Sequence, residues 1–312
     1  MKISARGLMI AGLVISLSSN LFFCRQVSGQ TPMPAGVKTI TLALVSEVNQ
    51  REIQAHFRAF IDYVARKLSS GAAIEGKVVV AATVVELAKL LDQRAVDFYM
   101  ESPYPTYIVN GVHGAGKLLL RRWKSGMAEY RSLILTKKGS GVSRVQDLRG
   151  KMIAFEDPES TSGYFLPKFF LQRNDLKLAE KPRADASVAP AEVGYVFAKS
   201  QDQLLEMVLS GQVAAATFSD DDYGMLKENS KANLEIVAQT ELLPRHLVSV
   251  RKDLAPALTE RLGLVLLSMS DDDQGRKIML NTDNTTKFDP LPGGEEIMRR
   301  RLLETFYSPQ RR

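Results

Sequence analysis

Residues 151–170 constrain this chain most, because within them the sequence changes period. Residues 152–155 are an apolar run of strand length. A loop follows with Pro158 and three consecutive hydroxyls, Ser160, Thr161 and Ser162. Phe165, Phe169 and Phe170 then recur at helical spacing. Ser and Thr at a helix start accept from backbone amides that have no partner within the helix. The same amides and the helix dipole favour an anion. One cap needs one hydroxyl, so three in a row suit a tetrahedral oxyanion such as phosphate or phosphonate.

The same alternation runs through the rest of the chain. Residues 39–45 read as a strand, and Ile53, Phe57, Phe60, Ile61, Val64 and Leu68 follow on one helical face. Residues 78–82 read as a strand and 85–91 as a helix. The strand at 96–100 ends in Glu101-Ser102-Pro103-Tyr104-Pro105-Thr106-Tyr107. Strands alternating with helices predict an α/β sheet, largely parallel. Residues 90–102 and 208–219 echo each other weakly, each a helix, a tight turn and a strand ending in Ser. The echo fits two similar lobes with loops at strand C-terminal ends, where open α/β sheets bind ligands. Residues 127–136 and 242–250 read as extended crossings between the lobes. The first lobe is then discontinuous, residues 37–126 plus 251–312. Residues 127–250 form the second lobe with both hinge crossings.

Over 312 residues, 45% apolar and 24% charged content describe an ordinary globular chain. The formal charge of +6 sits partly in the termini, at Lys2, Arg6 and Arg25 and at Arg299, Arg300, Arg301, Arg311 and Arg312. No basic cluster is interleaved with aromatics, which argues against a nucleic-acid partner. Lys2 and Arg6, the apolar residues 8–17 and the small-residue site Val27-Ser28-Gly29 predict a cleaved export signal over residues 1–30. Residues 8–23 contain Ser16, Ser18, Ser19 and Asn20 and are short for a bilayer span. Cys24, the single cysteine, offers lipid anchoring as a second option, against which stands the bulky Phe23. The expected location is periplasmic or extracytoplasmic. Removal of Cys24 with the leader leaves no thiol for a disulfide, a metal or a nucleophile.

Phe155-Glu156-Asp157-Pro158-Glu159-Ser160-Thr161-Ser162-Gly163-Tyr164, followed by Leu166-Pro167, resembles the binding loop of the phosphate/phosphite/phosphonate solute-binding proteins of ABC importers. The likeness spans roughly residues 38–254, and Ser-Thr-Ser-Gly is its specific part. The resemblance implies a two-lobed periplasmic-binding-protein fold with two crossover strands and a ligand cleft between the lobes. It implies capture of a small oxyanion by lobe closure for an ABC permease in the inner membrane, with no cofactor; a monomer is expected. It places Ser160, Thr161 and Ser162 on the ligand and turns Ser102 and Tyr104 towards it. Members often carry a His just before an Asp that starts a helix of the second lobe. The matching stretch here is Lys199-Ser200-Gln201-Asp202, so Gln201 takes that place and brings a donor without charge. The first loop, Ser46-Glu47-Val48-Asn49, lacks the aromatic that some members place there, which leaves room for a ligand other than an alkylphosphonate.

Other motifs have plainer readings. Gly111-Val112-His113-Gly114-Ala115-Gly116-Lys117 fits a nucleotide-hydrolase phosphate loop, but Leu118 stands where Ser or Thr holds magnesium, and the following residues read as a strand. Pro103 and Pro105 stiffen their loop; Tyr104 either closes over an anion or packs with Tyr107 at the edge of a core. Asp220-Asp221-Asp222 lacks a nearby His and the calcium-loop spacing, so it reads as caps and solvated acids, with Asp220 reaching the cleft. His56, His113 and His246 are scattered, and no metal site is expected. A hydrolase of phosphorylated small molecules would need an activated nucleophile. Ser160 and Ser162 have no evident base, so an enzyme is not expected. A sensor built on the same module is the alternative.

Overall fold

The computed structural model describes residues 36–69, 73–198 and 200–307. The export signal, Cys24, the linker up to residue 35 and Lys199 lie outside the described residues. The chain opens with β1 (Thr39–Val45), α1 (Gln50–Leu68), β2 (Glu75–Ala81), α2 (Val84–Asp92) and β3 (Phe98–Glu101). The short α3 (Pro103–Thr106) continues as a wide turn over Tyr107–Val112 and leads to β4 (Gly116–Lys124). The strand at Gly116–Lys124 removes the helix that a nucleotide-hydrolase loop requires.

A first crossing, β5 (Glu129–Tyr130), leads to β6 (Ser132–Lys137), β7 (Met152–Phe155), α4 (Leu166–Arg173), β8 (Lys177–Glu180) and β9 (Glu192–Phe197). Then come α5 (Gln201–Ser210), β10 (Ala215–Ser219), α6 (Asp220–Met225), α7 (Glu228–Lys231) and β11 (Leu234–Gln239). The return runs through β12 (Leu243–Pro244) and β13 (His246–Arg251) to α8 (Pro256–Ser268), α9 (Asp273–Asn281), β14 (Thr285–Pro290) and α10 (Gly294–Phe306).

Two six-stranded sheets result, ordered β14-β4-β13-β3-β1-β2 and β11-β6-β10-β7-β9-β8. Side chains alternate along each strand. Ile40 and Leu42 of β1 pack with α1 and α8, while Ala43 packs on the α2 side. In β7, Met152 and Ala154 serve one core of the second sheet, Ile153 and Phe155 the other. Burial on both faces explains the near-continuous apolar runs. The sheets are mixed rather than largely parallel. β1 is parallel to β2 and β3, and β7, β8, β9 and β10 are mutually parallel neighbours. β13 pairs antiparallel with both β3 and β4, and β14 with β4, in the first sheet; β6 pairs antiparallel with both β10 and β11 in the second. The strands that follow the crossings enter their sheets in reverse, which periodicity does not encode.

β5 and β12 pair with each other outside both large sheets. Of the expected crossing at residues 242–250, only Leu243–Pro244 belongs to this pair; His246–Arg251 is a strand of the first sheet. Among the described residues no helix is long and apolar enough to cross a membrane. The ends of β1, β3 and β7 bring their following loops together between the sheets.

Candidate functional site

The loop after β7 is fixed by its own backbone. Ser160 Oγ accepts from Gly163 N at 2.9 Å, a helix cap. Phe165 N donates to Ser160 O at 3.1 Å, which makes Thr161–Phe165 a wide first turn ahead of α4. Carbonyls of the turn are tied down from below. Ser132 Oγ donates to Ser162 O at 2.7 Å, and Thr217 Oγ1 donates to Gly163 O at 2.8 Å. Gly163 is required by close approach, since a Cβ there would lie 2.6 Å from Glu156 Cβ.

The opposite wall comes from the end of β3. Ser102 precedes α3, with Pro103 in the first helical position. Ser102 Oγ and Thr161 Oγ1 share a hydrogen bond of 2.9 Å across the cleft. Tyr104 N donates to the same Thr161 Oγ1 at 3.1 Å. Thr161, only 2% exposed, thus bridges the two lobes. The Tyr104 ring stacks on Phe165 with centroids 3.3 Å apart, and Phe306 of α10 meets it edge-on at 5.2 Å. The structure therefore places this ring in an aromatic cluster between lobes, and burial raises its phenol.

Beside the Thr161 bridge lies a cavity of about 300 Å³. Val45, Glu101, Ser102 and Pro105 line it from the first lobe. Glu156, Asp157, Glu159 and Ser160 face them from the second. Gln201 reaches this group indirectly, donating from Nε2 to Glu156 Oε1 at 3.3 Å. Burial pushes Glu101 up to about 7, although Val45 N donates to its Oε1 at 2.8 Å. Burial also raises Glu156, reinforced by Asp222 and opposed by the bonds from Gln201 and Ser160. Glu159 is raised by burial and by the charges of Glu47 and Asp157.

Ser160, Thr161 and Ser102 are brought together, with Ser162 buried behind them. Asp220 is placed elsewhere. Its Oδ1 accepts from Arg131 N at 3.1 Å, so its carboxylate ties α6 to the crossing rather than lining the cavity. Its neighbour Asp221 pairs with Arg245 at 3.0 Å, and Arg245 lies 4.5 Å over the Tyr130 ring. Burial pushes Tyr130 up to about 12, opposed by Arg245 and the hydroxyls of Thr161 and Ser162. Sequence reasoning missed Glu101, Glu156 and Glu159 as a group, and the Arg245–Asp221 pair. Position at a strand's C-terminal end was the available signal for Glu101, directly before Ser102.

Comparison with known proteins agrees with this architecture. The chain is 23% identical over 237 residues to the phosphate-import protein PhnD of Mycolicibacterium smegmatis, covering 72% of this chain and 70% of the relative. The structure of XAC2383 from Xanthomonas citri bound to chloride ion superposes with a TM-score of 0.76 at 24% identity, over 86% of this chain and 95% of that one. PhnD1 of Prochlorococcus marinus in complex with methylphosphonate gives 0.60 at 16% identity, over 86% and 97%. These neighbours share the two-lobed periplasmic-binding-protein fold. The family described as ABC transporter, phosphonate, periplasmic substrate-binding protein matches residues 42–292, and this chain belongs to that family.

Proposed function

We propose that the protein is exported and captures a small phosphate-, phosphite- or phosphonate-type oxyanion between its lobes for delivery to an ABC permease. The observation that carries this reading is the Thr161 hydroxyl. It stands at a helix start of one lobe and bonds Ser102 Oγ and Tyr104 N of the other. The first amides of a helix have no acceptor within it. Together with the dipole they hold an oxyanion, and the hydroxyls of Ser160, Thr161 and Ser102 replace its water. Part of this reading is carried over from the Mycolicibacterium smegmatis phosphate importer and the methylphosphonate complex of the Prochlorococcus marinus protein. Closure pivots on the β5–β12 pair, where the chain passes twice between the sheets. The Ser160 hydroxyl caps the helix and donates to the carboxylate of Glu156 at 3.2 Å. The family is one of substrate-binding transporter components, which favours capture without turnover.

Small-angle scattering tests the closure. The radius of gyration is expected to fall when saturating phosphate or methylphosphonate is added. Saturable binding with an unchanged radius would make the protein a rigid module and remove lobe closure from the reading.

A further inference from the structure

Glu101, Glu156, Asp157 and Glu159 line the cavity beside Thr161, and among the described residues none of its lining is Lys, Arg or His. Further acids stand behind them: Glu47 acts on Glu159, and Asp222 acts on Glu156. The cation nearest in effect to Glu101 is Arg122 of β4, which is engaged with Asp283 at 2.9 Å and with Thr285 Oγ1 at 2.8 Å. The other charge acting on Glu101 is Glu159, which repels it. A fully ionised oxyanion in this cleft would face carboxylates on both sides. Like charges in a poorly solvated site favour protonation of one of them.

We propose that Glu101 is the specificity residue of this cleft: it holds the oxyanion as a neutral carboxyl, so that capture takes up a proton there, while Glu156, Asp157 and Glu159 turn away any anion not matched by such a donor. The inference rests on the cleft being the oxyanion site. The step moves one proton from solvent to a Glu101 carboxylate oxygen, and no other bond changes. Val45 N fixes Oε1 from the end of β1, which holds the carboxyl in place at the strand ends. With Glu101 already raised to about 7 by burial, neutralising it near neutral pH is easy. The sign follows from linkage. A bound anion raises the carboxyl further, so affinity falls as pH rises above about 7, by up to about tenfold per pH unit.

The test is calorimetric titration of the mature protein with inorganic phosphate and with methylphosphonate at pH 8, in buffers of different ionisation enthalpy. The ligand's own proton titrates in a similar range, but it contributes equally to wild type and Glu101→Gln. Wild type should take up about one proton more than the variant. Equal uptake in both overturns the proposal. A second measurement needs no variant: the side-chain carboxyl resonance of Glu101 in wild type should move to its protonated position at pH 8 when phosphate is added. An ionised Glu101 in the complex overturns the proposal while leaving the oxyanion site intact. Absence of binding of phosphate, phosphite and methylphosphonate to wild type at every pH from 5 to 8 overturns the oxyanion reading itself, and this proposal with it.

Discussion

At the scale of the residue, the binding loop depends on a glycine that touches no ligand. Gly163 lies against Glu156, and its carbonyl accepts from Thr217 Oγ1. Gly163→Ala adds a methyl group where the structure has no room. The expected result is a loss of about 1–3 kcal/mol of stability, with weaker oxyanion binding as the turn shifts. Thermal melts and titrations of the variant check this, and wild-type values for both would mean that the turn has slack. The hydroxyls at residues 160–162 are legible in the sequence, because a strand, a loop and a helix start show themselves by period. The carboxyls of Glu101, Glu156 and Glu159 are not, since an acid in a loop is ordinarily solvated. They become a group only when two distant loops face each other across one cavity. Asp220 is the converse case. It stands at a helix start, as the sequence suggests, yet its carboxylate is engaged by Arg131.

At the scale of the element, α3 and α10 join the lobes in a way that periodicity does not reveal. The Pro-rich loop after β3 winds into the short α3, with Pro103 at its first position. Its Tyr104 packs with Phe165 and Phe169 on one side and Phe306 on the other. The C-terminal helix is held at the crossings as well: Arg301 pairs with Glu129 of β5 at 3.0 Å. In sequence, Arg301 reads as one more terminal charge. Aromatic pairs of this kind contribute about 0.5–1.5 kcal/mol each. Tyr104→Phe keeps every ring contact, so its affinity should stay within about threefold of wild type. Tyr104→Ala removes several pairs and should weaken binding about tenfold, provided closure brings these rings together. Titrating both variants with methylphosphonate decides the matter. A large loss in Tyr104→Phe would show that the phenol itself reaches the ligand.

At the scale of the molecule, two lobes were legible from two repeated strand–loop–helix patterns and two extended crossings. The mixed strand directions were not, because direction depends on how a crossing strand re-enters its sheet rather than on local period. The function proposed above requires that a loop of the second lobe, at residues 160–162, hold the oxyanion against the first lobe. Calorimetric titration of wild type and of a Ser160→Ala, Thr161→Ala, Ser162→Ala triple variant with phosphate, phosphite and methylphosphonate tests it most directly. A hydrogen bond to a charged group contributes roughly 1.5–3 kcal/mol, so loss of the Ser160 and Thr161 hydroxyls should each weaken binding by about one to two powers of ten. Loss of one helix cap costs only about 1 kcal/mol, so the triple variant should still fold and melt cooperatively. Wild type is expected to bind at least one of the three anions, and the folded triple variant none measurably. A triple variant that binds as tightly as wild type would contradict this requirement and leave this loop a helix cap.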